Sequence, residues 1–173
     1  MNQEAYHGTS LKNAKKICKS SNNIDFKVSC KDNEWLGNGV YFFDNKKDAI
    51  DWSKKVRKHK EIGIVSAIIT ADEDKVLNLI SNNIHIEMFT NTVKKVKQKS
   101  NKFKDENITT NHISLAIKIL VAAKGYEVIK AIFTPDIRLK NAMKNMPESM
   151  LIGRIQICVV NNNCISNCKI IME

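Results

Sequence analysis

The sequence predicts a mixed α+β fold in one domain, and three observations carry that expectation. Short runs rich in branched and aromatic residues, such as Gly63-Ile64-Val65-Ser66-Ala67-Ile68-Ile69-Thr70, recur along the chain between turn residues, as buried strands do. Between them lie segments whose apolar residues repeat at three and four, as on one helix face. The two kinds alternate irregularly: strand, helix, strand, helix, strand, then two helices, then strands, which suits α+β rather than a repeating βαβ unit. A length of 173 residues fits one domain, residues 1–173, with a real core. An apolar fraction of 43% against 27% charged excludes disorder throughout.

The elements follow in order. A strand is expected over residues 4–7, ending in the loop Gly8-Thr9-Ser10, where Ser10 caps a helix from 11 to about 19 whose Leu11, Ala14, Ile17 and Cys18 keep helical spacing. Polar sequence runs to Asn33, and residues 39–43 read as a strand. Asn45 or Asp44 caps a helix over about 46–59, with Ala49, Ile50, Trp52, Ser53 and Val56 towards the core. A strand at 63–70 leads to a basic helix over 84–104, where Phe89, Val93, Val96 and Phe103 interrupt a run of lysines. A second helix runs from Thr110 or Asn111 to Lys124 and stops at Gly125. Strands at 126–133, 154–160 and 168–172 complete the chain. A Rossmann fold is excluded, because Gly37-Asn38-Gly39 runs into a strand rather than a helix.

Lys plus Arg number 28 against 18 Asp plus Glu, a net charge of +10. Such an excess suits a polyanionic partner; abundant Lys, Asn and Ile with little Arg and Ala is equally what AT-rich coding gives. Cys18, Cys30, Cys158, Cys164 and Cys168 form no CxxC pair and no zinc tetrad, so they read as reduced thiols. No apolar run is long enough to cross a membrane, and Met1 to Ser10 has no secretory pattern. A soluble, cytoplasmic domain without membrane partners is the expectation.

Three segments bear the chemistry: Tyr6-His7-Gly8-Thr9-Ser10 followed by Asn13 and Ile17; Leu36-Gly37-Asn38-Gly39-Val40-Tyr41-Phe42; and Ile155-Gln156-Ile157-Cys158-Val159-Val160-Asn161. Together and in this order they resemble the ADP-ribosyltransferase superfamily, in the branch of the poly(ADP-ribose) polymerases and diphtheria-type toxins. His7-Gly8-Thr9 matches that family's H-G-[ST] strand, Gly37 to Phe42 its G-x-G-[IV]-Y-F element, and Ala49 a small packing residue of the next helix. The strand at 154–160 falls where the family carries its catalytic glutamate.

The resemblance implies a split β-sheet sandwich with flanking helices, and NAD as the substrate. Breaking the nicotinamide–ribose bond passes through an oxocarbenium-like centre, so the site must favour charge that appears only there. By the resemblance His7 would bind the adenosine ribose, the backbone of Gly8 would clasp the nicotinamide amide, and Tyr41 would stack on the ring, with Tyr6 or Phe42 shaping the pocket. Thr9 belongs to the same cofactor-binding motif, and Ser10 and Asn13 would add polar contacts on the adenosine side.

Gln156 stands at the family's glutamate position, which makes His7, Tyr41 and Gln156 the expected catalytic set. Glutamine accepts a hydroxyl's hydrogen bond but carries no charge, which argues against polymer synthesis and for transfer of a single unit. Glu148 would supply a carboxylate if its loop folded back. Arg154, two residues before Gln156, suits a phosphate- or carboxylate-bearing acceptor, and equally a solvated strand edge. Lys94, Lys95, Lys97, Lys99, Lys102 and Lys104 suit either a phosphate backbone or a solvated helix face.

The resemblance therefore implies a mono-ADP-ribosyltransferase acting on a macromolecule, with nucleic acid ahead of protein as acceptor. A small catalytic domain of this branch fits a toxin or phage-defence effector, and a toxin implies a protein antitoxin as partner. An RNA 2′-phosphotransferase shares the H-G-[ST] opening, but its further Arg and His elements find no match. An inactive domain of the same fold that binds nucleic acid is the alternative that Gln156 keeps open.

Overall fold

Strand β1, Asn2–Ser10, pairs antiparallel with β3, Ile62–Thr70, along its whole length, from Asn2 opposite Thr70 to Ser10 opposite Ile62. The expected loop at Gly8-Thr9-Ser10 is therefore strand: β3 is long enough to partner every residue of β1, and its branched side chains bury both faces. The computed structural model describes residues 1–19, 25–30, 34–99, 108–133 and 153–171. Among them seven strands form one sheet in the order β4-β5-β6-β2-β1-β3-β7.

Ser10 caps α1, Leu11–Ile17, by accepting a hydrogen bond from the Asn13 backbone N–H at 3.3 Å. Strand β2, Val40–Phe43, leads through Asn45, whose side chain accepts from the Asp48 N–H at 2.9 Å, into α2, Lys46–Asp51. The expected helix over 46–59 changes character halfway: Trp52–Val56 is a π-helical turn, closed by the Arg57 N–H on the Trp52 carbonyl at 3.0 Å. The wider turn rotates the buried face, so Ser53 stays inside while Val56, expected in the core, is exposed.

Strand β4, Val76–Asn78, was not legible in the sequence; three residues are too few to show a period, and its parallel pairing with β5 defines it. Helix α3, Asn83–Lys99, packs Val93 and Val96 on Ala116 of α4, Thr110–Lys124. The expected extension of α3 through Lys102, Phe103 and Lys104 lies outside the described residues, as does Glu148. Gly125 closes α4 in the left-handed conformation, φ 68°, as its position predicts. Strands β5, Val128–Phe133, and β6, Arg154–Val159, follow. Strand β7, Ile165–Ile171, starts three residues earlier than expected because Ile165 already pairs with Ile69.

Alternating side chains give the sheet two cores. Ala5, Phe42, Val65, Ala67, Ile157 and Val159 face α1 and Phe26; Leu36, Leu77, Ile129 and Cys158 face Ile117 and Leu120 of α4. Helix α2 covers the rest of that second face, over Phe43 and Ile64. No helix among the described residues is long and apolar enough to cross a membrane.

Candidate functional site

The sheet is split where its motifs meet. β1 and β2 pair at a single position, Tyr6 opposite Phe43, and diverge beyond it. Residues 25–30 enter the opening, where Ser29 bridges to Gly39 through two backbone hydrogen bonds of 3.0 and 3.1 Å. His7 spans the wedge: its Nδ1 lies 2.8 Å from the Tyr41 carbonyl oxygen. A carbonyl only accepts, so Nδ1 carries the proton and Nε2 is left as an acceptor. The ring is held edge-on by Phe26 and Phe42, at centroid distances of 5.4 and 5.8 Å.

A cavity of about 570 Å³ opens on this face, within the range of small-molecule sites. His7, Thr9, Asn13 and Phe26 line it, with Lys16, Lys19 and Lys27 on its wall and Asp25 as the acidic residue among the lining. Three lysines around one cavity suit an anionic ligand group.

Tyr41 and Gln156 occupy the other face. The Tyr41 hydroxyl donates to the Gly37 carbonyl at 2.8 Å and accepts from the Leu36 N–H at 3.1 Å, so the glycine-rich turn before β2 is tied to its own strand. Burial, then the neighbouring Cys158 and Glu34, push the phenol well above its ordinary value. Burial likewise pushes the Cys158 thiol up to about 12, so no thiolate forms there near neutral pH. Gln156 is buried and accepts a hydrogen bond from the Trp35 indole N–H at 2.7 Å. Trp35 leans on Phe133 at 6.0 Å, and Phe133 meets Trp52 edge-on at 6.5 Å. The row across the split thus reads Tyr6, Phe43, Gln156, Ala131, with aromatic rings beside the glutamine.

Arg154 does not face outward to an acceptor. Its guanidinium binds Asp48 at 3.1 Å and Asp51 at 3.5 Å, with about a fifth of the side chain exposed. It clamps α2, and hence Trp52, to β6. Gly8 serves the same packing, for a Cβ there would overlap the Ala49 carbonyl, and Ser53 donates to the Thr9 carbonyl at 2.9 Å.

Of the expected cofactor-binding residues, His7, Thr9 and Asn13 thus share one cavity. Ser10 is occupied as the α1 cap, Gly8 abuts Ala49, and Tyr41 lies across the sheet with Gln156. Sequence reasoning missed Phe26, Trp35 and Phe133 as parts of the site. The signal was present for two of them: Phe26 and Trp35 are isolated large aromatics in an otherwise polar stretch, where nothing local requires them.

Two outcomes are expected from this geometry. Tyr41→Phe leaves the Gly37 carbonyl and Leu36 N–H without their partner, which costs about 1–3 kcal/mol and lowers Tm by roughly 3–10 °C in thermal unfolding. His7 has its pKa lowered below 6.5, by burial first and by the Arg57 charge, against the opposing bond to Tyr41. A lowered histidine contributes stability in full above its unfolded value of about 6.5, lost as pH falls through the folded value. Melting curves between pH 7.5 and 5 therefore fall less steeply in His7→Asn, which has no proton to gain, than in the wild type.

A family model, the poly(ADP-ribose) polymerase catalytic domain, matches residues 2–124; the match includes the His7 and Tyr41 segments and ends before Gln156. An uncharacterised protein of Methanocaldococcus jannaschii is 24% identical over 181 residues, which cover 92% of this chain and 83% of that protein. Among solved structures, an anti-CRISPR protein aligns with 99% of this chain and 96% of its own, at a TM-score of 0.43 and 14% identity.

Proposed function

The chain belongs to the family of the poly(ADP-ribose) polymerase catalytic domain, and on that premise we propose that it is an NAD-consuming mono-ADP-ribosyltransferase acting on a macromolecular acceptor. One observation carries the reading: the motif residues His7, Thr9 and Asn13 line a single cavity with three lysines on its wall. The adenosine half of NAD occupies this cavity, its ribose hydroxyl donating to His7 Nε2 and its diphosphate lying against the lysines. From there the dinucleotide rounds the mouth of the wedge that His7 and residues 25–30 fill, and the nicotinamide half reaches Gln156 on the other face. There Tyr41, fixed by its two hydrogen bonds, forms a rigid floor, and Trp35, Trp52 and Phe133 supply apolar walls.

In the reaction the bond from ribose C1′ to the nicotinamide nitrogen breaks, and nicotinamide leaves with the electron pair that neutralises its ring. A lone pair of the acceptor forms the new bond to C1′, and the acceptor's proton passes to water. Gln156 orients the ribose without acting as a base. A site without that base favours one transfer over chain elongation.

Nucleic acid stands ahead of protein as acceptor because Lys94, Lys95 and Lys99 are exposed along α3, in a chain of net charge +10. A toxin or phage-defence role, with a protein antitoxin in the first case, follows the same reading. Labelled NAD incubated with the protein and a cell lysate tests it. Label that nuclease removes supports transfer to nucleic acid; label that only protease removes places transfer on protein; no label with no free nicotinamide sinks the reading in favour of a binding-only domain, which the uncharged Gln156 allows.

A further inference from the structure

We propose that Trp35 is the positioning residue of this site, and that by claiming the oxygen of Gln156 it fixes that side chain as a hydrogen-bond donor to substrate. The proposal rests on the NAD reading above only for what the donor meets.

An indole nitrogen has a proton and no lone pair to offer, so whatever faces it must accept. The atom 2.7 Å from Trp35 Nε1 is therefore the amide oxygen of Gln156, and chemistry rather than convention decides which end of the amide is which. The two groups are 121 residues apart in sequence, so the bond is built by the fold. Both partners are held in place: Gln156 is buried on β6, opposite Phe43 on one side and Ala131 on the other. Trp35 leans on Phe133 of β5 and packs against the apolar layer that holds Leu36, Leu77 and Ile117.

With its oxygen engaged, Gln156 offers the two N–H bonds of Nε2. Its counterpart on a substrate is an oxygen acceptor: the lone pair of a ribose hydroxyl or the carboxamide oxygen of nicotinamide. A hydroxyl proton seeking an acceptor is served poorly, which is the opposite polarity to a carboxylate at this position. Freed from Trp35 the amide can turn over, so Trp35 sets the polarity of a residue it does not itself replace.

The test uses the full chain labelled with ¹⁵N. The sequence has two tryptophans, and Trp35→Phe identifies the Trp35 indole signal by its loss. In Gln156→Leu, an apolar side chain of similar size, the Trp35 indole proton exchanges with solvent at least about tenfold faster than in the wild type, the loss of roughly one hydrogen bond. Unchanged exchange overturns the proposal, whatever the protein does with NAD.

NAD affinity by calorimetry then reads the consequence. Trp35→Phe and Gln156→Leu each weaken binding by roughly fivefold to twentyfold, about one hydrogen bond. The double variant is no weaker than either single, because a donor without its orienting partner is already lost. Losses that multiply in the double variant overturn the positioning role. Absence of NAD binding by the wild type fails the NAD reading instead, and the exchange comparison still decides whether Trp35 holds the amide.

Discussion

Gln156→Glu raises the rate of NAD cleavage roughly tenfold to a hundredfold, about 1.4–2.7 kcal/mol of transition-state stabilisation. Gln156 is buried, and the Trp35 indole N–H donates to it at 2.7 Å, a bond that a carboxylate accepts at least as well. The substitution keeps the shape and the bond from Trp35, exchanges the amide's N–H donors for a carboxylate oxygen that accepts from a ribose hydroxyl, and adds a negative charge beside the ribose, where positive charge develops. Burial penalises that charge, but the indole donor supports it, which places the gain at one or two powers of ten rather than more. Nicotinamide release from NAD, followed in both proteins at one pH, checks it; equal or lower rates in the glutamate variant contradict the placement of Gln156 at the reacting ribose.

Gly8→Val is expected to destabilise the fold strongly. The new side chain would enter the space of the Ala49 carbonyl, a backbone atom that moves only with the whole of α2. Overpacking against a flexible side chain costs about 1–3 kcal/mol, and here the cost is at least about 3 kcal/mol because the neighbour is main chain. Thermal unfolding shows it as a Tm lower by roughly 6–12 °C. A melting temperature within about 2 °C of the wild type contradicts the close packing of β1 on α2.

Much of this architecture was legible from periodicity. The caps at Ser10 and Asn45 and the stop at Gly125 sit where residue type places them, because each satisfies its own helix end and depends on nothing distant. Elements defined by distant partners were not. Strand β1 runs through Gly8-Thr9-Ser10 only because β3 lies beside it, and β4 exists only because β5 does. The π-helical turn at Trp52–Val56 leaves no mark in the spacing, so Val56 read as core and lies outside.

The site divides in the same way. His7 and Tyr41 stand out as motif residues, and their segments fall within the family match; what the motifs omit is that the two residues use opposite faces of a split sheet, joined by a carbonyl–imidazole bond of 2.8 Å. Trp35 is invisible as a partner of Gln156 across 121 residues. Arg154 read equally as a contact for an acceptor or as a solvated strand-edge residue, whereas two aspartates on α2, Asp48 and Asp51, engage it; the pairing needed the helix to be placed over β6 before it could be seen.

The cavity beside His7 is the proposed seat of NAD, and the most direct measurement is the titration of NAD into the full chain by calorimetry, beside His7→Ala shown to be folded. Saturable binding of one NAD per chain is expected, weakened at least about tenfold in His7→Ala, on the order of the 1.5 kcal/mol of a buried hydrogen bond and its packing. No binding by the wild type, or binding that His7→Ala leaves unchanged, would contradict it.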